Sequence, residues 1–72
     1  MSESEHRPLL SLIIPAYNEE ARLPESLEQV AAFVDAQDYA VEVIVVDNNS
    51  TDRTAEVAAA FAARHDYACV LH

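Results

Sequence analysis

The sequence predicts an α/β domain of order βαβαβ, with parallel strands arranged 3-2-1. Three observations predict it. Two short runs are apolar on both alternating faces, two intervening stretches repeat their apolar residues at helical spacing, and a polar cluster follows each of the first two runs. Strands alternating with helices favour a parallel sheet, and right-handed crossovers that progress in one direction give this order, with both helices on one face.

The first element is "LLSLIIP" at 9 to 15, with Leu10, Leu12 and Ile14 on one side and Leu9 and Ile13 on the other. Pro15 lacks a backbone donor and is expected to end the strand. From Pro24 to about Gln37 the period changes, so that Leu27, Val30, Ala31 and Val34 form one stripe, and Pro24 suits a first helical turn. "VEVIVVD" at 41 to 47 is β-branched at five positions and reads as a second buried strand. "NNSTD" at 48 to 52 supplies caps for a second helix beginning near Thr51 or Asp52, with Asp52 as the capping residue. Thr54, Val57, Ala58, Phe61, Ala62 and His65 share a face of that helix, which makes His65 a packing residue. "YACVLH" at 67 to 72 gives the third strand, and its lone Cys69 reads as a small core residue. Residues 1 to 8, "MSESEHRP", form a polar tail.

Helices on one face leave the other face bare, yet Ser11 and Glu42 are its only polar residues on the first two strands. At about 25 cal/mol per Å² of apolar area, a wet face of this kind would cost several kcal/mol, comparable with the stability of a small domain. A chain of 72 residues is also short for a self-sufficient core. The expectation is an N-terminal fragment whose open face is covered by the rest of a longer domain or by a second copy.

Thirteen acidic residues against four Arg and no Lys give a net charge of -9, which repels phosphate backbones and excludes nucleic acid as a partner. The polar, acidic N-terminus lacks the basic start and apolar run of a secretory signal, so a cytoplasmic location is expected. There is no glycine, which rules out both a dinucleotide fingerprint and a P-loop. "DNNSTD" imitates a calcium loop at Asp47, Asn49 and Thr51, but Asp52 stands where the turn Gly belongs and Ala58 where the bidentate Glu belongs.

Ligands of open parallel sheets bind beyond the carboxyl ends of the strands. "PAYNEE" and "DNNSTD" both fall there, brought side by side although about thirty residues apart. Ionised carboxylates only accept hydrogen bonds, whereas Asn both donates and accepts. Such a crest suits a ligand with ring N–H groups and sugar hydroxyls, as in a nucleoside. Asp47, at the end of an apolar run, is the favoured contact. Glu20 reads as a solvated charge, Asn18 as a turn residue.

"LSLIIPAYNEE", followed by "EVIVVDNNSTDRT", closely resembles the start of family 2 glycosyltransferases of GT-A fold, over residues 9 to 72. "YNEEARLPESL" is most similar to the branch that transfers glucose or mannose from a nucleotide-sugar to a polyprenyl or dolichyl phosphate. The resemblance implies the Rossmann-like, nucleotide-binding half of a GT-A domain. Pro15, Ala16, Tyr17 and Glu19 would line the nucleoside pocket, Asp47 would accept from a uracil or guanine ring, and Asn48 would stand where the family more often has a second Asp. It further implies an inverting transfer from a UDP- or GDP-sugar, with a Mg²⁺ or Mn²⁺ ion and a carboxylate base supplied by later segments. The parent would be membrane-associated at the cytoplasmic face. No Asp-x-Asp occurs here, so the 72 residues alone are expected to be inactive.

Two other classes remain open. A stand-alone α/β module could close its sheet by dimerising, and it would show no nucleotide affinity. A phosphoacceptor receiver usually ends its first strand in paired acids, where this chain has Pro15 and Tyr17.

Overall fold

The computed structural model describes residues 10–72; Leu9 and the expected tail at 1–8 lie outside them. The element order is β1 (Leu10–Ala16), α1 (Leu23–Ala36), β2 (Val41–Asp47), α2 (Thr54–Arg64) and β3 (Ala68–Leu71). The three strands form one parallel sheet with β2 in the centre, the predicted order.

β1 does not end at Pro15. It continues through Ala16, with Pro15 opposite Val46 and Ala16 opposite Asp47. The Asn48 N–H donates to the Ala16 carbonyl over 2.9 Å, so Ala16 turns its backbone groups toward β2. Residues of a parallel strand alternate in the side to which they bond, and Pro15 therefore turns its missing donor to the free edge of the sheet, where no ladder bond is lost.

Alternation separates two faces. Ala16, Val41, Val43 and Val45 are buried beneath the helices with Leu23, Leu27, Ala58 and Phe61. Val30, Ala31 and Val34 complete the α1 stripe, and Leu10, Leu12 and Ile14 pack from β1. The other face is bare: Ile13 is 57% exposed and Leu71 53%. In register across it lie Ile13, Ile44 and Cys69, then Pro15, Val46 and Leu71. Cys69 is exposed there rather than in the core, because its position in β3 puts it on the side the helices leave uncovered. Ser11 donates from its hydroxyl to Glu42 over 2.6 Å, joining the two polar residues of that face.

α1 starts one residue before its expected position, with Pro24 in the first turn and no side-chain cap. α2 starts at Thr54, later than Thr51 or Asp52. Asn49, at φ 58°, turns the chain in the left-handed region and delays the helix. Arg53, not Asp52, is the N-cap residue and makes no side-chain cap bond; Asp52, one residue earlier, accepts the Thr54 N–H at Oδ1 over 2.9 Å. His65 ends the helix and packs between Phe61, at 4.5 Å between ring centroids, and Tyr67, at 5.0 Å, the structural role its helical face predicts.

Candidate functional site

The loops after β1 and β2 meet at the carboxyl end of the sheet and are tied by reciprocal hydrogen bonds. Asn18 holds φ 49°, a left-handed conformation that Asn tolerates better than most residues. In that conformation its N–H donates to the Ser50 hydroxyl over 3.0 Å, and its Oδ1 accepts from the Thr51 N–H over 2.7 Å. The Glu19 N–H donates to the Thr54 hydroxyl over 2.7 Å, and that hydroxyl donates in turn to Asp52. Glu20 and the second loop exchange a further pair, Glu20 N–H to Asp52 and Arg53 N–H to the Glu20 carboxylate, each 3.3 Å. Glu20 is thus a tie between loops and not only a solvated charge.

Strand alternation divides the six candidate residues. Ala16 and Asp47 lie in the helix-side row and are buried; Pro15 is exposed on the bare side, and Tyr17, just past the end of β1, is 57% exposed. Asn48 is exposed. Glu19 is half-buried, and its carboxylate is engaged locally, accepting from the Tyr17 N–H at 3.4 Å and facing Arg22 at 3.7 Å. A shallow hollow of about 430 Å³ is lined by Tyr17, Asn18, Glu19, Glu20, Arg22 and Asp52, and Asp47 is not part of its wall.

Asp47 is 6% exposed. Its Oδ1 is fully enclosed without a hydrogen-bond partner, and Oδ2 faces the His72 Nδ1 at 3.4 Å. A buried carboxylate would ordinarily be pushed toward neutrality. Here the polar groups of Ser50, close by though outside hydrogen-bond geometry, are the largest influence, and with His72 they hold the Asp47 carboxyl below its ordinary range despite desolvation. Asp52 is likewise lowered, first by the Thr54 hydroxyl. The crest therefore presents ionised acceptors, suited to N–H and O–H donors and repellent to bare phosphate.

No group of three His, Cys, Asp or Glu among the described residues could hold a metal ion. The resemblance places the ligands of its divalent cation in later segments. No helix among them is long and apolar enough to cross a membrane.

Sequence reasoning placed Thr54 on a packing face without foreseeing that its buried hydroxyl joins the loops. The Asp52-x-Thr54 spacing, typical of a side chain bonding two residues on, was the available signal. His72 carried no local signal, since its place beside Asp47 follows from the β2–β3 register.

The family model described as "Glycosyl transferase family 2" matches residues 11–72. The chain is 43% identical over 61 residues to a dolichyl-phosphate beta-glucosyltransferase of Drosophila melanogaster, covering 78% of this chain and 19% of that protein. It is 45% identical over 62 residues to an undecaprenyl-phosphate 4-deoxy-4-formamido-L-arabinose transferase of Pseudomonas paraeruginosa, covering 86% of this chain and 18% of that protein. A 4,4'-diaponeurosporenoate glycosyltransferase of Staphylococcus haemolyticus is 48% identical over 56 residues, covering 78% of this chain and 14% of that protein. The chain thus spans about a fifth or less of the length of these relatives. With a family model matched from β1 to the end of β3, and relatives named for polyprenyl-phosphate glycosyl transfer, the chain belongs to glycosyl transferase family 2.

Proposed function

We propose that this chain is the nucleoside-binding part of the nucleotide-sugar site in an inverting glycosyltransferase of GT-A fold, which passes a hexose from a UDP- or GDP-sugar to a polyprenyl phosphate. The carrying observation is Asp47: a buried carboxylate, held ionised, at the carboxyl end of the central strand, with one oxygen lacking any partner. A buried carboxylate is costly unless it is well paired; its Oδ2 has only the long contact with His72 Nδ1 at 3.4 Å, and a ring N–H of a nucleobase arriving at that oxygen is a donor that would offset the cost. In this reading Ala16 and Pro15 at the end of β1, Tyr17 and Glu19 on the loop after it, and Asn48 directly after Asp47 complete the nucleoside surface. Tyr17 offers an exposed ring for stacking, and Asn48 can donate or accept. The names of the relatives support the acceptor class, a lipid phosphate. The catalytic base, the cation site and the acceptor site belong, in this reading, to further segments of a parent enzyme at the cytoplasmic face of a membrane, and those segments cover the bare face.

Calorimetric titration of the chain with UDP, GDP and AMP tests this. UDP or GDP should bind, AMP more weakly, and Asp47→Asn should abolish the preference. Equal, Asp47-independent binding of all three, or none, would end the reading.

A second reading is favoured by the apolar row of Ile13, Cys69 and Leu71: an interaction module that pairs two copies through this face. It predicts a concentration-dependent doubling of mass in sedimentation, abolished by Ile13→Glu, with no nucleotide affinity.

A further inference from the structure

His72 stands where a ligand of Asp47 would have to arrive. The final pair in register between β2 and β3 is Val46 opposite Leu71. One step further along a parallel ladder sets His72 beside Asp47, on the helix-side row, with Ala16 flanking Asp47 from β1. Ala16 has no side chain beyond its Cβ, so it neither bonds the carboxylate nor shields it. Oδ1 is enclosed on all sides. An approaching donor therefore has to come to Oδ2, and that oxygen already faces the His72 Nδ1 at 3.4 Å.

We infer that His72 is a self-ligand of the Asp47 site: its imidazole N–H takes the position of a nucleobase ring N–H, and the nucleoside must displace it to bind. The inference rests on the nucleoside reading above. An ionised carboxylate is an acceptor only, so Nδ1 is the atom that carries the shared proton. An imidazole N–H and a base ring N–H are the same kind of donor, each set in the plane of a small heterocycle, and Oδ2 does not discriminate between them until the rest of the ligand makes contact. Displacement is easy on two counts. The hydrogen bond is long and weak accordingly, and the His72 side chain is 65% exposed, so the ring can swing into water without leaving a cavity. In the unliganded chain the imidazole keeps Oδ2 of Asp47 paired. In the bound chain the imidazole is released to solvent, and breaking its bond to Oδ2 offsets part of the free energy gained from the base.

The test compares the 72-residue chain with His72→Ala, which removes the donor, and His72→Gln, which keeps an N–H at the end of a side chain of similar reach. Affinity for UDP and for GDP is measured by calorimetry. His72→Ala should bind about two- to tenfold more tightly, the range set by one net hydrogen bond, and His72→Gln should stay closer to the parent chain than to the Ala variant. Because His72 is mostly exposed, neither change threatens the fold. A second readout needs no nucleotide: the imidazole nitrogen signals, followed by ¹⁵N correlation spectroscopy, should move on Asp47→Asn. If His72→Ala binds equally or more weakly, or the imidazole signals ignore Asp47→Asn, the self-ligand proposal is overturned while the nucleoside site stands. If neither the parent chain nor His72→Ala binds UDP or GDP, the nucleoside reading falls, and this inference with it.

Discussion

Thr54→Val against Thr54→Ser separates the two things Thr54 does. The residue is fully buried, and its hydroxyl receives the Glu19 N–H over 2.7 Å while donating to Asp52. Valine keeps the shape and removes the hydroxyl, leaving the Glu19 N–H with no partner in a half-buried position; an amide stranded in this way costs about 1–3 kcal/mol. Loss of the bond to Asp52 acts in the same direction. Serine keeps the hydroxyl and removes one buried methyl, a loss of about 1 kcal/mol. The valine variant should therefore be the less stable by about 1–2 kcal/mol, a change of about five- to thirtyfold in the folding equilibrium constant. Urea unfolding followed by circular dichroism at neutral pH reads the difference as a shift in midpoint at unchanged slope. If serine proves the worse substitution, the methyl's packing outweighs the hydroxyl, and the account of Thr54 as the joint between the two loops is wrong.

Other expectations are independent of that one. Asn18→Ala should destabilise by about 2 kcal/mol, combining a left-handed conformation unsuited to Ala with a lost acceptor for the Thr51 N–H, whereas Asn18→Gly should recover roughly half because it relieves only the backbone cost; equal midpoints for the two would refute the strain argument. Tyr67→Phe should leave stability unchanged or raise it by up to about 1 kcal/mol, since the buried Tyr67 hydroxyl has no partner among the described residues, and thermal unfolding checks this. Both Asp47 and Asp52 have folded pKa values below their ordinary ones. Their contribution to stability is thus fully present above about pH 4, the unfolded range, and fades as pH falls through the lower folded values. Urea midpoints taken from pH 7 down to pH 2 should fall below pH 4, less steeply in Asp52→Asn.

The fold was legible because each element carries its own period. The five β-branched positions of 41 to 47 and the Leu27, Val30, Ala31, Val34 stripe have no competing interpretation. Boundaries were less legible where backbone geometry depends on a neighbour. Pro15 reads as a stop in isolation, but at the free edge of a parallel sheet it removes no bond, and β1 runs on. Asp52 read as the cap, but the left-handed turn at Asn49 moves the start of α2 to Thr54 and makes Arg53 the N-cap, leaving Asp52 to bond the Thr54 N–H from one residue earlier. Cys69 shows the same limit, for an apolar run gives no sign of which alternate face stays uncovered. At the site, the meeting of the two loops followed from topology. The side chains that fasten them did not, because Asn18, Ser50, Thr51 and Thr54 find partners more than thirty residues away.

The central claim is that Asp47 and the two tied loops form one surface for a nucleoside. Backbone and side-chain NMR signals of the chain, followed during titration with UDP and with GDP, test it most directly. The account predicts that Tyr17, Glu19, Asn48 and Asp47 shift along one saturation curve, while the groove residues between α1 and α2, such as Ala31 and Ala60, stay still. Shifts confined to the helices, or Tyr17 moving while Asp47 does not, would contradict it.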